Sequence, residues 1–166
     1  MKKKNKNIYQ LLLKKSYEEI TVKDICAKAN VSRMSFYRYY NQKDDIFVVY
    51  CDTKFEEFFD EFSKFKDPTL EQFYCEVFKY MKENSRQLLM LRKAKKEILL
   101  VFQFDNYAKY ITSKIKFSNM KDVRNNPYFV SYMSGGLFNS LMKWIERGMK
   151  ETPEEMTKLI IDINEN

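Results

Sequence analysis

The chain has 166 residues, of which 45% are hydrophobic and 32% charged, and it contains only three glycines and three prolines. Such a composition excludes a disordered chain, and it excludes an all-β sandwich or barrel, which needs many more turns, so we expect an all-α protein. Histidine is absent and the three cysteines lie far apart without a C-x-x-C pair. Because histidine is the commonest general base and metal ligand, we expect no enzyme, no metal site and no cofactor.

The formal net charge of +7 is concentrated in the first third of the chain. Residues 1–50 contain eleven Lys or Arg and five Asp or Glu, whereas the remaining residues contain nineteen and eighteen. A basic headpiece on a nearly neutral body indicates nucleic acid as the leading partner, with an anionic membrane surface second. The longest uncharged run, 125–142, is too polar to cross a membrane, and no secretion signal follows the N-terminal lysines, so we expect a cytoplasmic protein.

Local signals place three short helices in the basic headpiece. Thr21 followed by Asp24 predicts a capped helix start, Asn30 favours a tight turn, and Ser32 is the expected cap of the next helix. Two short helices around such a turn form a helix-turn-helix. The first helix is predicted to end near residue 15, and the next two helices are predicted over 22–29 and 33–40.

The remaining helices are longer. Asn41 is the expected cap of a helix that runs to Phe62, and Asp67-Pro68-Thr69 ends that helix. Gly148 stands where a C-terminal cap glycine is expected, and Thr152-Pro153-Glu154-Glu155 begins a closing helix. The helices between these signals are predicted over 70–83, 86–92, 96–114 and 127–147.

Residues 20–46 read ITVKDICAKANVSRMSFYRYYNQKDDI. This stretch closely resembles the DNA-binding region of TetR/AcrR-family transcriptional regulators, with the Thr-Val-x-Asp-Ile opening, the Val-Ser turn, the Phe-Tyr-x-Tyr-Tyr recognition helix and the Lys-Asp-Asp start of helix 4. The segment 135–156 is similar to the end of a Firmicutes-type subgroup of that family. The resemblance implies a dimeric regulator, usually a repressor.

A recognition helix presents its N-terminal side chains to base edges, while residues around it hold phosphates. By this logic and by the resemblance, the residues expected to face bases are Arg33, Met34, Ser35 and Tyr39. Those expected to hold phosphates, with the N-terminal lysines, are Thr21, Tyr37, Arg38 and Lys43. Phe36 and Tyr40 lie on the opposite side of the helix and are expected in the core. The alternative for Arg33 is that it is only a solvated charge, as an arginine on a short helix more often is.

We expect a helix-turn-helix headpiece over 1–45 and a helical regulatory and dimerisation body over 46–166. Apolar and small residues in the uncharged run predict a face that a second copy of the chain covers. That face would contain Val130, Met133, Gly136, Leu137, Ser140, Leu141 and Trp144. The alternative is that these residues only seat their helix within its own protomer.

The predicted function is a DNA-binding transcriptional regulator, by resemblance a repressor, that binds a palindromic operator in double-stranded DNA as a homodimer. The aromatic residues of the body would mostly be core, but so rich a body could also line a cavity for a small apolar or aromatic effector. The alternative function is an adaptor that acts through its helical body on a partner regulator, with weak or no specific DNA binding.

Overall fold

Helices are the only regular elements in the residues that the computed structural model describes, which are 8, 10–118 and 126–165. The prediction of an all-α fold is therefore confirmed. The first helical segment, α1, comprises residues 8 and 10–12. The following helices are α2 (Val22–Ala29), α3 (Arg33–Tyr37), α4 (Asp45–Phe62), α5 (Leu70–Glu83), α6 (Ser85–Lys93), α7 (Glu97–Lys114), α8 (Pro127–Glu146) and α9 (Pro153–Glu165).

The caps of α2 and α3 form as the sequence predicts. The Thr21 hydroxyl accepts the Asp24 N–H at 3.1 Å, and the Asp24 carboxylate accepts the Thr21 N–H at 2.9 Å, so the pair is a complete capping box. Asn30 ends α2 in the left-handed region with φ of 53°. The Ser32 hydroxyl accepts the Ser35 N–H at 3.0 Å and begins α3. The second and third headpiece helices are thus set by contacts between residues close in sequence.

Two predicted boundaries in this region were wrong. Helix α3 ends at Tyr37 instead of residue 40, because the Tyr39 N–H donates to the carbonyl of Phe36 and tightens the last turn. Asn41 does not cap α4, which begins at Asp45. The Asp45 carboxylate instead accepts the N–H groups of Asn41 at 2.7 Å and Gln42 at 3.3 Å, so residues 41–44 form a turn ahead of the helix.

In the body, α4 packs on α7, α7 on α8, and α5 on α9. Gly148 ends α8 with φ of 84°, and the Met149 N–H donates to the carbonyl of Trp144 at 2.9 Å. The Glu155 N–H then donates to the Thr152 hydroxyl at 3.1 Å, as the predicted start of the closing helix requires. These contacts return α9 across the body, where it covers α5.

One hydrophobic core connects the headpiece to the body. It extends continuously from Ile8 in α1 to Ile160 in α9 and includes Cys26 and the predicted core residues Phe36 and Tyr40. Within the described part of the chain, no helix is both long enough and apolar enough to cross a membrane. The headpiece helices are therefore held on the body by shared apolar contacts as well as by the chain itself.

Candidate nucleic-acid interface

Helix α3 has one buried side and one exposed side. Phe36 is buried, with its ring 5.2 Å from the ring of Tyr40. On the other side Arg33 is exposed, and Met34 and Tyr37 are 82% and 55% exposed. The exposed side of the helix therefore combines a cationic group with apolar side-chain atoms.

The predicted contact residues around α3 differ in how accessible they are. Arg38 is exposed, and so is Tyr39, at 54%. Ser35 is half-buried, and its hydroxyl oxygen accepts the Ser32 hydroxyl at 3.0 Å, so the Ser35 hydroxyl proton remains available to donate. The structure thus brings the predicted base-facing residues and Tyr37 and Arg38 to one exposed end of the headpiece.

Thr21 is exposed, but its polar groups serve the cap of α2. Its hydroxyl donates to the Asp24 carboxylate at 2.8 Å while it accepts the Asp24 N–H. The main-chain N–H and the hydroxyl of Thr21 together hold the pKa of the Asp24 carboxyl below its usual value. A phosphate contact by the Thr21 hydroxyl would therefore have to replace its bond to Asp24.

Lys43 points back into the headpiece. Its ammonium donates to the carbonyls of Tyr17 at 2.8 Å and Ile20 at 3.0 Å, and it lies 4.0 Å from the centroid of the Tyr17 ring. Partial burial lowers its pKa, against an opposing effect of Glu18. An ammonium has three N–H donors, so at most one of them remains for a phosphate.

The same tyrosine joins the headpiece to the body. The Tyr17 hydroxyl donates to one oxygen of Asp44, and the Lys96 ammonium lies 2.8 Å from the other oxygen. Lys96 also lies 4.8 Å from the Tyr17 ring centroid, and the Tyr17 and Phe47 rings are 5.5 Å apart. We call Tyr17, Lys43, Asp44 and Lys96 the junction cluster. It ties the turn before α2 to the start of α4 and to the α6–α7 connection.

Helix α8 divides the predicted dimer residues between its inner and outer faces. Gly136 is exposed, Ser140 and Met133 are half-buried, and the rest are buried within the protomer. The buried ones, which leave almost no surface for a second chain, are Val130, Leu137, Leu141 and Trp144. The Trp144 ring packs edge-on against Phe78 at 5.4 Å. For these residues the structure favours the alternative that they seat α8 on its own body.

Exposed apolar side chains nevertheless remain on one face of α8 and on α9. Tyr128 and Tyr132 of α8 are exposed, and so are Leu159 and Ile163 of α9. Gly136 lies in the same outer part of α8, and a Cβ added there would meet no atom within 4 Å. We call these five residues the outer strip.

The body also contains an aromatic cavity of about 140 Å³ between α4, α5, α6, α7 and α8. Phe55 of α4 and Tyr107 of α7 stack along its wall with ring centroids 4.1 Å apart. Gln87 of α6 also lines it, and the Gln87 Oε1 atom is buried without a hydrogen-bond partner in the described part of the molecule. The predicted aromatic body thus has a partly open cavity that a small molecule could fill.

In the described ranges 8, 10–118 and 126–165, no group of three or more Cys, Asp or Glu side chains could hold a metal ion.

Comparison with known families agrees with this geometry. Residues 8–49 match the model described as bacterial regulatory proteins, tetR family, and residues 68–166 match a TetR model described as transcriptional regulator C-terminal region. The chain belongs to the TetR family. It is therefore a transcription regulator with a DNA-binding helix-turn-helix, and members of this family bind DNA as dimers and often bind small molecules.

A solved structure shares the fold of this TetR-family chain. The dihydroxyacetone kinase operon activator DhaS superposes with a TM-score of 0.65, at 18% sequence identity, over 98% of this chain and 92% of that one. At that identity the likeness concerns the fold alone. Among curated proteins, no sequence matches the chain.

Sequence reasoning missed the junction cluster and Gln87 in this TetR-family chain. Tyr17 and Lys96 are far apart in sequence, and neither belongs to a motif. Gln87 looks like an ordinary polar residue on a helix surface. The one usable signal was its helical spacing from Leu88 and from Leu91, one turn further on, which are buried and also line the cavity.

Proposed function

We propose that this TetR-family chain binds a palindromic DNA operator as a homodimer in the cytoplasm, represses transcription and responds to a small apolar or aromatic effector. We also propose that it belongs to a Firmicutes-type subgroup of the family. The observation that carries the DNA-binding mode is the outward row of Arg33, Met34 and Tyr37 on α3, opposite the buried Phe36. An arginine can bond both acceptors of guanine, and a methionine can contact a thymine methyl.

In this proposal the headpiece comprises residues 1–45 and the body residues 46–166. The side chains that meet base edges in the major groove are Arg33, Met34, Ser35 and Tyr39. The groups that contact phosphates are Tyr37, Arg38, the third N–H of Lys43 and, after exchange of its cap bond, Thr21. Phosphate contacts fix the docking, whereas base contacts select the sequence.

The outer strip supports the dimer. Tyr132, Leu159 and Ile163 leave apolar surface in water, and Gly136 gives a neighbouring backbone room to approach closely. A second copy applied to the same surface by a two-fold axis would cover that apolar area on both chains. Such an isologous pair presents two α3 helices with the symmetry that a palindrome with half-sites ~34–36 Å apart requires.

The cavity supports the effector response. Cys51 and Phe55 of α4 line it, and the N-terminal end of the same helix carries Asp44 of the junction cluster. A ligand that favours one position of α4 would thereby favour one position of the headpiece. The change in DNA affinity equals the difference in ligand affinity between the two positions, typically ~1–3 kcal/mol.

Selection from a random duplex library, followed by titration of the chosen site at several salt concentrations, tests the proposal. We expect a palindromic consensus and a loss of ~1–3 kcal/mol of specific binding in Arg33→Ala, with one base preference relaxed. Arg86→Ala is the matched control, because it removes the same charge from an exposed position of the body.

Equal affinity for selected and random DNA would favour the adaptor instead. A promoter reporter decides the direction of regulation. Its activity rises on deletion of a repressor and falls on deletion of an activator. The structural neighbour DhaS is named as an activator.

A further inference from the structure

The body cavity has a size that limits what it can hold. Its volume is about 140 Å³. An engineered protein cavity of about 150 Å³ lined by aliphatic and aromatic side chains stays dry and takes up benzene. The cavity therefore has room for one six-membered ring with a small substituent, and the stacked Phe55 and Tyr107 rings offer such a ring an aromatic wall.

Three hydroxyl groups around the cavity are already paired within the protein. The Tyr107 hydroxyl donates to Asp52 at 2.8 Å, the Tyr80 hydroxyl donates to a main-chain carbonyl of α4 at 2.9 Å, and the Thr112 hydroxyl donates one turn back along α7 at 2.9 Å. The Gln87 Oε1 atom is buried, and no described residue donates to it. A buried acceptor without a donor costs stability, and a bound molecule that donates a hydrogen bond to it would remove that cost.

The cavity wall also disfavours charge. Lys54 is the one charged residue among the described residues that line it, and its ammonium is already paired with Glu57 at 2.7 Å. Burial raises the pKa of the Tyr50 hydroxyl and of the Cys51 thiol to about 12, so these groups stay neutral. An anionic or cationic ligand would lose its hydration without gaining an unpaired counter-charge.

We propose that the effector is a neutral molecule with a single aromatic ring and one hydrogen-bond donor, of the phenol or aniline class, which donates to Gln87 Oε1 while its ring lies against Phe55 and Tyr107. The regulatory meaning of this site rests on the proposed function, but binding itself does not.

Binding to the full-length protein without DNA, measured by titration calorimetry, tests the ligand class with phenol, toluene and benzoate. Phenol and toluene have nearly the same shape, but only phenol can donate a hydrogen bond. We expect both to bind and benzoate not to bind. In Gln87→Met the phenol affinity should fall about 3- to 10-fold relative to that of toluene, which is the effect of one neutral hydrogen bond.

Gln42→Met is the matched control, because Gln42 is exposed in the headpiece and should leave both affinities unchanged. The proposal is overturned if neither phenol nor toluene binds, if benzoate binds as tightly as phenol, or if Gln87→Met leaves the ratio of the two affinities unchanged. Because the calorimetric assay contains no DNA, these negative results would not affect the separate test by operator selection. Conversely, a Gln87-dependent phenol site in a protein that selects no operator would overturn only the proposed function.

Discussion

Replacing Lys43 by methionine removes an ammonium that holds the headpiece turn while keeping a side chain of similar length. Two donated hydrogen bonds disappear, to the carbonyls of Tyr17 at 2.8 Å and Ile20 at 3.0 Å. Hydrogen bonds from charged groups contribute about 1.5–3 kcal/mol each. Lys43 is half-buried, so water replaces part of this contribution, and the burial that lowers the pKa of its ammonium offsets another part. The lower end of the range, further reduced, therefore applies.

We therefore expect Lys43→Met to lower the free energy of unfolding by about 2 kcal/mol, which for a chain of this size corresponds to about 4–8 °C in melting temperature. Thermal melts followed by circular dichroism measure this. Lys66→Met is the matched control, because Lys66 is exposed and the substitution changes the net charge equally. If the two variants melted within about 1 °C of each other, the inward hydrogen bonds of Lys43 would be refuted.

The same variant separates stability from phosphate contact. If the third N–H of Lys43 meets a phosphate, the salt dependence of DNA binding, plotted as log affinity against log salt, should become shallower by about one unit in Lys43→Met. An unchanged slope together with the lower melting temperature would leave Lys43 a structural residue of the headpiece and remove it from the proposed contacts.

Three further predictions concern the body. Gly136→Leu adds a side chain where a Cβ would meet no atom within 4 Å, so we expect the protein to keep its normal helix content. It should sediment as a monomer at micromolar concentration, and a retained dimer would contradict the outer-strip interface. Hydrogen bonding to Lys109 and to serines of α8 holds the pKa of the Asp105 carboxyl below its usual value. The ionised Asp105 carboxylate therefore stabilises the folded protein above about pH 4, and this contribution is lost as the pH falls through the lower folded-state pKa. Asp105→Asn should melt below wild type at pH 7 and alongside it near pH 2, whereas a constant difference at both pH values would refute the shift. Burial raises the pKa of Cys51 to about 12, so at pH 8 iodoacetamide should modify Cys51 at least about tenfold more slowly than Cys75, and equal rates would show that the cavity wall opens freely.

The parts of the fold that could be predicted from the sequence depend on neighbours in the chain. Thr21 with Asp24, and Thr152 with Glu155, form their capping contacts across three residues, so the residue types alone indicate the helix starts. Gly148 similarly marks the end of α8 by its left-handed backbone. The family model over residues 8–49 agrees with the motif that indicated a helix-turn-helix.

The side chains that join separate helices could not be predicted in this way. Lys96 reaches Asp44 across 52 residues, and no local pattern signals such a pair. In α8 the uncharged run offered no charged residues to mark an outer face, so the pattern placed Leu141 and Trp144 at the dimer surface although they pack inward. Gln87 was missed for the opposite reason, because its polar side chain is typical of a helix surface although its amide oxygen is buried.

The junction cluster limits how such a protein can be recombined. A chimera that takes residues 1–45 from another regulator would bring its own counterparts of Tyr17, Lys43 and Asp44 but would meet the Lys96 of this body. The graft would then leave the Lys96 ammonium without the Asp44 carboxylate and the Tyr17 ring that it contacts here. A transplant intended to change operator choice should therefore carry the α6–α7 connection along with the headpiece. The unit that can be exchanged between such proteins is therefore a set of residues in contact, and it is not one continuous stretch of the sequence.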